Sequence, residues 1–175
     1  MEDGALIQRI KSGDMDSLER LIRKYYGDVC AYCCRKLRRP DDAEDVTQEV
    51  FLHFCRHFES YVQRGKVKTY LYTIAHNLCV NAMRVKKPLP LEDVKMENFT
   101  RQSGMEKRWE TTDSVQAALN RLPEEQREVI LLRFYQDLKL KEIAQVMSSG
   151  LSVTKYRLSQ GLKTLSRLLS REDWL

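Results

Sequence analysis

KLKEIAQVMSSGLSVTKYRLSQGLKTL, residues 139–165, sets a short apolar-periodic run against a longer one across the turn signal SSGLS. Ile143, Ala144 and Met147 lie at spacings that put them on one side of a first helix, and Leu158, Leu162, Leu165 and Leu169 form a stripe along the next. Gly150 is the expected pivot of the turn. Two helices joined by a tight glycine-containing turn, the second basic and polar at its start, describe a helix-turn-helix. From Lys139 to Arg171 seven basic residues stand beside a single acid, Glu142. Such a second helix enters the major groove by its N-terminal end, so Ser152, Lys155, Tyr156, Ser159 and Gln160 are the expected DNA contacts. Arg157 and Lys163 are expected to serve phosphates. The plain alternative is a helical hairpin with solvated lysines.

Upstream, LPEEQ opens a further helix: Pro123 suits the first turn, and Glu124 and Glu125 complement the positive end of the helix dipole. Strand and turn signals are sparse throughout, with seven glycines and four prolines in 175 residues. The chain therefore reads as all-α. Its main break is residues 86–113, where two prolines and mixed charge interrupt the helical period. This organisation predicts two small helical domains, 1–87 and 113–175, joined by a flexible linker at 88–112.

A hydrophobic content of 42 % with 31 % charged residues is ordinary for a globular protein. No apolar stretch approaches the roughly 18 residues of a membrane span, and the N-terminus carries acids without a cleavage signal. A cytoplasmic protein with no direct membrane insertion is expected. The five cysteines, Cys30, Cys33, Cys34, Cys55 and Cys79, sit inside apolar helical patterns, which fits buried reduced thiols better than a disulfide framework. His53 and His57, four apart, and the CAYCC run could each supply part of a zinc site, but neither set offers a full complement of ligands. No metal, cofactor or catalytic residue is expected.

A net charge of +5 makes DDAEDVTQEVFLHF, residues 41–54, conspicuous, because it concentrates five carboxylates within nine residues. On a helix, Ala43, Val46, Val50 and Phe54 share a core face, and Asp41, Asp45, Gln48, Glu49, Leu52 and Arg56 gather opposite. Dipole stabilisation accounts for Asp41 and Asp42. It does not account for Asp45 and Glu49, nor for a leucine among them. A small apolar centre with a charged rim points to a protein interface, the alternative being a merely solvated face.

The following helix, roughly Lys66 to Lys86, places Leu71, Ile74, Ala75, Leu78, Ala82 and Val85 on a core face. Tyr70, Thr73, Asn77, Asn81 and Arg84 line another. From Tyr61 to Pro90 there is no acid, while Arg64, Lys66, Lys68, Arg84, Lys86 and Lys87 supply positive charge. Cations for phosphates, a flat ring for unstacked bases and amides for base edges suit single-stranded nucleic acid. The alternative is that Tyr70 and Tyr72 pack against a neighbouring helix.

DDAEDVTQEVFLHF, then KVKTYLYTIAHNLCVNAMR, then LPEEQREVILLRF and KLKEIAQVM…KYRL…LKTL, in this order and spacing, closely resemble the extracytoplasmic-function sigma factors of bacterial RNA polymerase. The resemblance implies a first domain, sigma region 2, that binds the polymerase clamp helices and captures the melted −10 element. It implies a second, region 4, that binds the polymerase flap and the −35 element. Asp45, Gln48, Glu49 and Leu52 then resemble the clamp-binding surface. The strand-capturing face corresponds to Arg64, Lys66, Lys68, Tyr70, Thr73, Asn77, Asn81 and Arg84. The family commonly has tryptophan where Tyr70 stands and an acid where Asn81 stands. It also implies core polymerase and promoter DNA as partners, together with an anti-sigma factor. The chain closes at SREDWL, leaving no expected room for a sensory domain.

One departure concerns the turn. Where the family usually has isoleucine or valine, followed by Thr-Val, this chain has Ser149 and Val153-Thr154. Polar residues at two normally buried positions are expected to loosen that domain unless Leu151 or Val153 repacks, since an unpaired buried hydroxyl costs ~1–3 kcal/mol. A second functional reading is a helix-turn-helix regulator that does not recruit polymerase.

Overall fold

In the computed structural model, residues 2–60, 66–85 and 113–172 are described, and every element among them is helical. The chain divides into two compact units. The expected linker, 88–112, lies outside the described residues.

The first unit comprises α1 (Asp3–Lys11), α2 (Met15–Leu37), α3 (Pro40–Arg56), a 3-10 turn (Phe58–Ser60) and α4 (Val67–Val85). Asp14 starts α2 by accepting the backbone N–H groups of Asp16 and Ser17 at 3.1 and 3.3 Å and the Ser17 hydroxyl at 2.8 Å, satisfying donors that a helix start leaves open. Arg38 stops α2 in the left-handed region (φ 57°), its N–H bonding Cys34 O at 2.8 Å. Pro40 then opens α3, where a missing N–H costs nothing.

Helix α2 packs against α1, α3 and α4, and α3 packs against α4. Its inward side chains include Leu21, Val29, Tyr32, Cys33 and Leu37. Tyr32 meets Tyr72 of α4 edge-on at 5.4 Å, and Phe54 of α3 meets Phe58 at the same distance, geometries favoured by the ring quadrupoles. Asp3 fastens α1: one carboxylate oxygen lies 2.5 Å from Lys24 Nζ and the other accepts the Tyr25 hydroxyl. Burial, reinforced by that bond to Asp3, pushes the Tyr25 phenol well up.

Two expectations fail in this unit. Val85 is 82 % exposed, lying six residues beyond Cys79, the last buried position of α4; the core side of α4 instead takes in Tyr72 and Cys79. Cys55 is exposed while the other four cysteines are buried, because it lies about 100° around α3 from the buried Phe54.

The second unit contains α5 (Asp113–Asn120), α6 (Glu124–Ile130) continued by a π-helical turn (Leu131–Tyr135), α7 (Leu140–Val146) and α8 (Leu151–Glu172). Ala118, Leu119, Leu122, Ile130 and Leu165 form its buried cluster, with Leu158, Leu168 and Leu169 packed against it. At Gly161 of α8 an added Cβ would stand 2.8 Å from Ile130 Cδ1, so the absence of a side chain sets how closely α8 approaches α6. Leu162, expected in the stripe, is 40 % exposed. The inward line runs through the buried Thr154, Gly161 and Leu165 and the half-buried Leu158, and Leu162 falls at its margin.

Burial pushes the Cys30 thiol up to about 11 and the Cys34 thiol up to about 12, while a hydrogen bond with Cys79, reinforced by burial, holds the Cys33 thiol protonated. At neutral pH a maleimide is expected to label one of the five cysteines of the native chain, Cys55, and all five after denaturation; mass spectrometry reads the count. Because the folded state holds these protons more tightly than the unfolded chain, whose thiols ionise near ~8.5, the first unit is expected to lose stability progressively from there through about 11 and 12. Urea midpoints across that range check the sign.

Candidate functional site

Three helix faces bring the expected residues to the surface. On α3, the inward side is Ala43, Thr47, Val50, Phe51 and Phe54, with the buried Thr47 hydroxyl donating to Ala43 O at 2.6 Å. With that side committed to the core, Asp45, Gln48 and Glu49 are exposed, and Leu52 stands 48 % exposed among them. Two contacts steady this face. Gln48 hydrogen-bonds Tyr26 of α2, whose ring stacks on Phe51 at 5.5 Å, and Glu49 lies 3.6 Å from Arg56. Neither contact has a local sequence signature.

On α4, Asn77, Asn81 and Arg84 are exposed along one line, with Lys66 exposed just before the helix. Lys68, Tyr70 and Thr73 are half-buried. The Tyr70 ring sits 6.0 Å from Phe54, tilted by 55°, so one side of it rests on the core. The Thr73 hydroxyl donates to Thr69 O at 2.8 Å, leaving its lone pairs as acceptors. The packing alternative holds for Tyr72, which is fully buried. Arg64 lies outside the described residues.

On α8, Ser152, Lys155, Tyr156, Ser159 and Lys163 are exposed and Gln160 is half-buried. Arg157 differs from the expectation of a phosphate contact: its Nη2 lies 3.0 Å from Glu125 Oε2 on α6, and its side chain is 20 % exposed. The turn before α8 differs too. The left-handed residue is Ser148 (φ 51°), and nothing lies within 4 Å of the position a Gly150 Cβ would take, so the turn does not hinge on the glycine. Nor are the hydroxyls of Ser149 and Thr154 unpaired. They lie 3.1 Å apart, and Thr154 Oγ1 donates to Gly150 O at 2.9 Å. Thr154 is fully buried, whereas Val153 is 45 % exposed and does not repack inward. With both hydroxyls partnered, the cost expected of an unpaired one does not arise.

His53 and His57 sit with ring centroids 4.4 Å apart. Among the described residues no group of three or more His, Cys, Asp or Glu is arranged to hold a metal, and no helix is long and apolar enough to cross a membrane.

Residues 21–88, which carry the α3 and α4 faces, match Sigma-70 region 2, and residues 112–165, which carry the turn and the start of α8, match Sigma-70 region 4. The chain belongs to the extracytoplasmic-function (ECF) family of RNA polymerase sigma factors. ECF sigma factor SigW of Bacillus subtilis (strain 168) is 28 % identical over 176 residues, spanning 93 % of this chain and 94 % of that protein. RNA polymerase sigma factor SigV of the same organism is 30 % identical over 137 residues, 78 % of this chain and 81 % of that one. Among solved structures, CnrH in complex with the cytosolic domain of CnrY shares the fold at a TM-score of 0.74 and 17 % identity, covering 97 % of both chains. The sigma factor RpoE in complex with the anti-sigma factor NepR from Bartonella quintana does so at 0.67 and 19 %, covering 87 % of this chain and 96 % of that one. As an ECF sigma factor the chain acts with core RNA polymerase to direct promoter-specific initiation, and the family is one of initiation factors rather than enzymes. The reading as a regulator that does not recruit polymerase is set aside, since region 2 is present beside region 4.

The hydroxyl pair of the sigma factor's turn has a measurable weight. Thr154→Val keeps the shape but removes both of its hydrogen bonds, and is expected to destabilise the second unit by about 1 kcal/mol. Adding Ser149→Ala is expected to cost less than its effect alone, because the two groups share one bond. A thermal-unfolding double-mutant cycle on the full chain reads the coupling.

Proposed function

We propose that the three faces divide the work of promoter recognition. Residues 1–87 form the region 2 domain and 113–175 the region 4 domain, with 88–112 as linker. The α3 face, Asp45, Gln48, Glu49 and Leu52, docks on the polymerase clamp helices. Lys66, Lys68, Tyr70, Thr73, Asn77, Asn81 and Arg84, with Arg64 before them, hold the melted −10 strand. Ser152, Lys155, Tyr156, Ser159, Gln160 and Lys163 address the −35 duplex, and region 4 also meets the polymerase flap. Arg157 contributes by bracing α8 through Glu125. The observation that carries this reading is the half-exposed Leu52 inside a ring of acids and an amide: in a net-positive chain such a face repels nucleic acid and suits a protein with basic groups around an apolar pocket.

Each face has a physical task. Leucine supplies buried apolar area at the clamp, and the carboxylates supply orientation and association rate. Tyr70, half-buried on α4, stacks on an unstacked base, a contact worth ~1–3 kcal/mol. The lysines neutralise phosphates. The chain itself catalyses nothing; it positions the polymerase, helps open the start site and is released. It acts in the cytoplasm, and an anti-sigma factor holds it when its regulon is off; the sigma factor RpoE, which shares the fold, is co-crystallised with the anti-sigma factor NepR.

Leu52→Ala and Asp45→Ala are each expected to weaken binding to core polymerase about tenfold or more, with unchanged circular dichroism and thermal midpoint. Unchanged affinity in both variants overturns the α3 assignment. Promoter binding by the holoenzyme is expected to fall steeply with salt, log K against log salt being linear with a slope set by the phosphates neutralised; Lys155→Ala and Lys163→Ala are each expected to reduce that slope by about one.

A further inference from the structure

We propose that the −35-reading face of α8 recognises thymine methyl groups through Val153 and Tyr156. The proposal rests on the reading that α8 enters the major groove. Its starting point is an inversion of burial at neighbouring positions: Thr154, with a hydroxyl, is fully buried, while Val153, without one, is 45 % exposed. This reverses the usual preference of the two residue types. The inward seat is taken because Thr154 bonds Gly150 O and Ser149 within the turn, so Val153 is turned outward as a consequence of a satisfied structure. Tyr156, 64 % exposed, lies about 60° from it around the helix. Two apolar side chains thus share the face that also carries Ser152, Lys155 and Ser159.

The groups able to read bases narrow the ligand. Guanine is read best by a bidentate arginine. The one arginine between residues 151 and 163 is Arg157, and it is held by Glu125 at 3.0 Å. Lys155 can contact guanine, Gln160 can pair with adenine N6 and N7, and serine hydroxyls serve either as donor or acceptor. Beside these polar groups, of which the amide favours adenine, the thymine 5-methyl is the apolar feature that the major groove offers. The favoured element therefore has A·T pairs opposite the first two turns of α8, with thymine methyls against Val153 and the Tyr156 ring.

Deoxyuridine isolates that contact, since it keeps the O4 acceptor and the pairing of thymidine and lacks only the methyl. Holoenzyme formed from the full chain and core polymerase selects its −35 element from a randomised duplex library; thymidines in that element are then replaced by deoxyuridine one at a time. At one or two positions, affinity is expected to drop about fourfold per methyl, and that drop is expected to vanish in Val153→Ala or Tyr156→Ser. Equal binding of thymidine and deoxyuridine duplexes overturns the proposal, as does a drop that persists in both variants or a selected element without thymine. Recovery of no −35 element by an intact holoenzyme overturns the underlying reading of α8 as well, and so separates the two failures.

Discussion

The first unit depends on the inward side of α2. Leu21, Val29, Tyr32, Cys33 and Leu37 present a buried strip on which α1, α3 and α4 are laid, and each of those helices has one side to spare for it. Three helices that commit a single side to a shared neighbour keep their remaining sides for the outside world. For α3 and α4 those remaining sides are opposite in character, acids around a leucine on one and cations with amides on the other. Small size forces this economy: a domain of this length has few residues that are neither core nor functional surface. Tyr70 shows how tight it is, since the same ring leans on Phe54 and faces outward.

The second unit solves a related problem with less apolar material. Its turn is closed by two hydroxyls where the sequence resemblance implies a pair of aliphatic side chains, and the exchange works because both oxygens find partners within 3.1 Å. A satisfied buried hydroxyl costs little, whereas an orphaned one is expensive. The substitution also has a geometric effect. By occupying the inward position itself, Thr154 directs Val153 to the surface, and so a packing choice in the turn reaches the face proposed to meet DNA.

Much of this was legible in the sequence. Periodicity alone placed Ala43, Val50 and Phe54 inward on α3 and Asp45, Gln48, Glu49 and Leu52 outward, because apolar spacing of three and four leaves little freedom in a short amphipathic helix; it counted in the half-buried Val46 and passed over the buried Thr47 and Phe51. It failed at margins. Leu162 and Val85 have the right spacing, but one sits at the edge of the stripe and the other at the end of its helix, and period says nothing about how far a neighbour extends. Long-range polar contacts left no trace: Arg157 finds Glu125 across 32 positions, and Asp3 reaches Lys24 and Tyr25. The paired hydroxyls were visible as residues but not as a bond, since residue type gives the cost of burying an oxygen and only geometry gives its partner.

The Arg157–Glu125 pair bears on time as much as on place. A protein that must find a few sites in a whole genome spends most of its life on the wrong DNA, held there by charge that every sequence shares. Each cation withheld from the backbone shortens those stays by the factor its phosphate contact would have added. By pairing with Glu125, Arg157 serves as an internal brace, which on the proposed reading of α8 leaves that helix with a lighter grip on DNA. Rapid departure from unsuitable sequences is then a property of how α6 and α8 are joined.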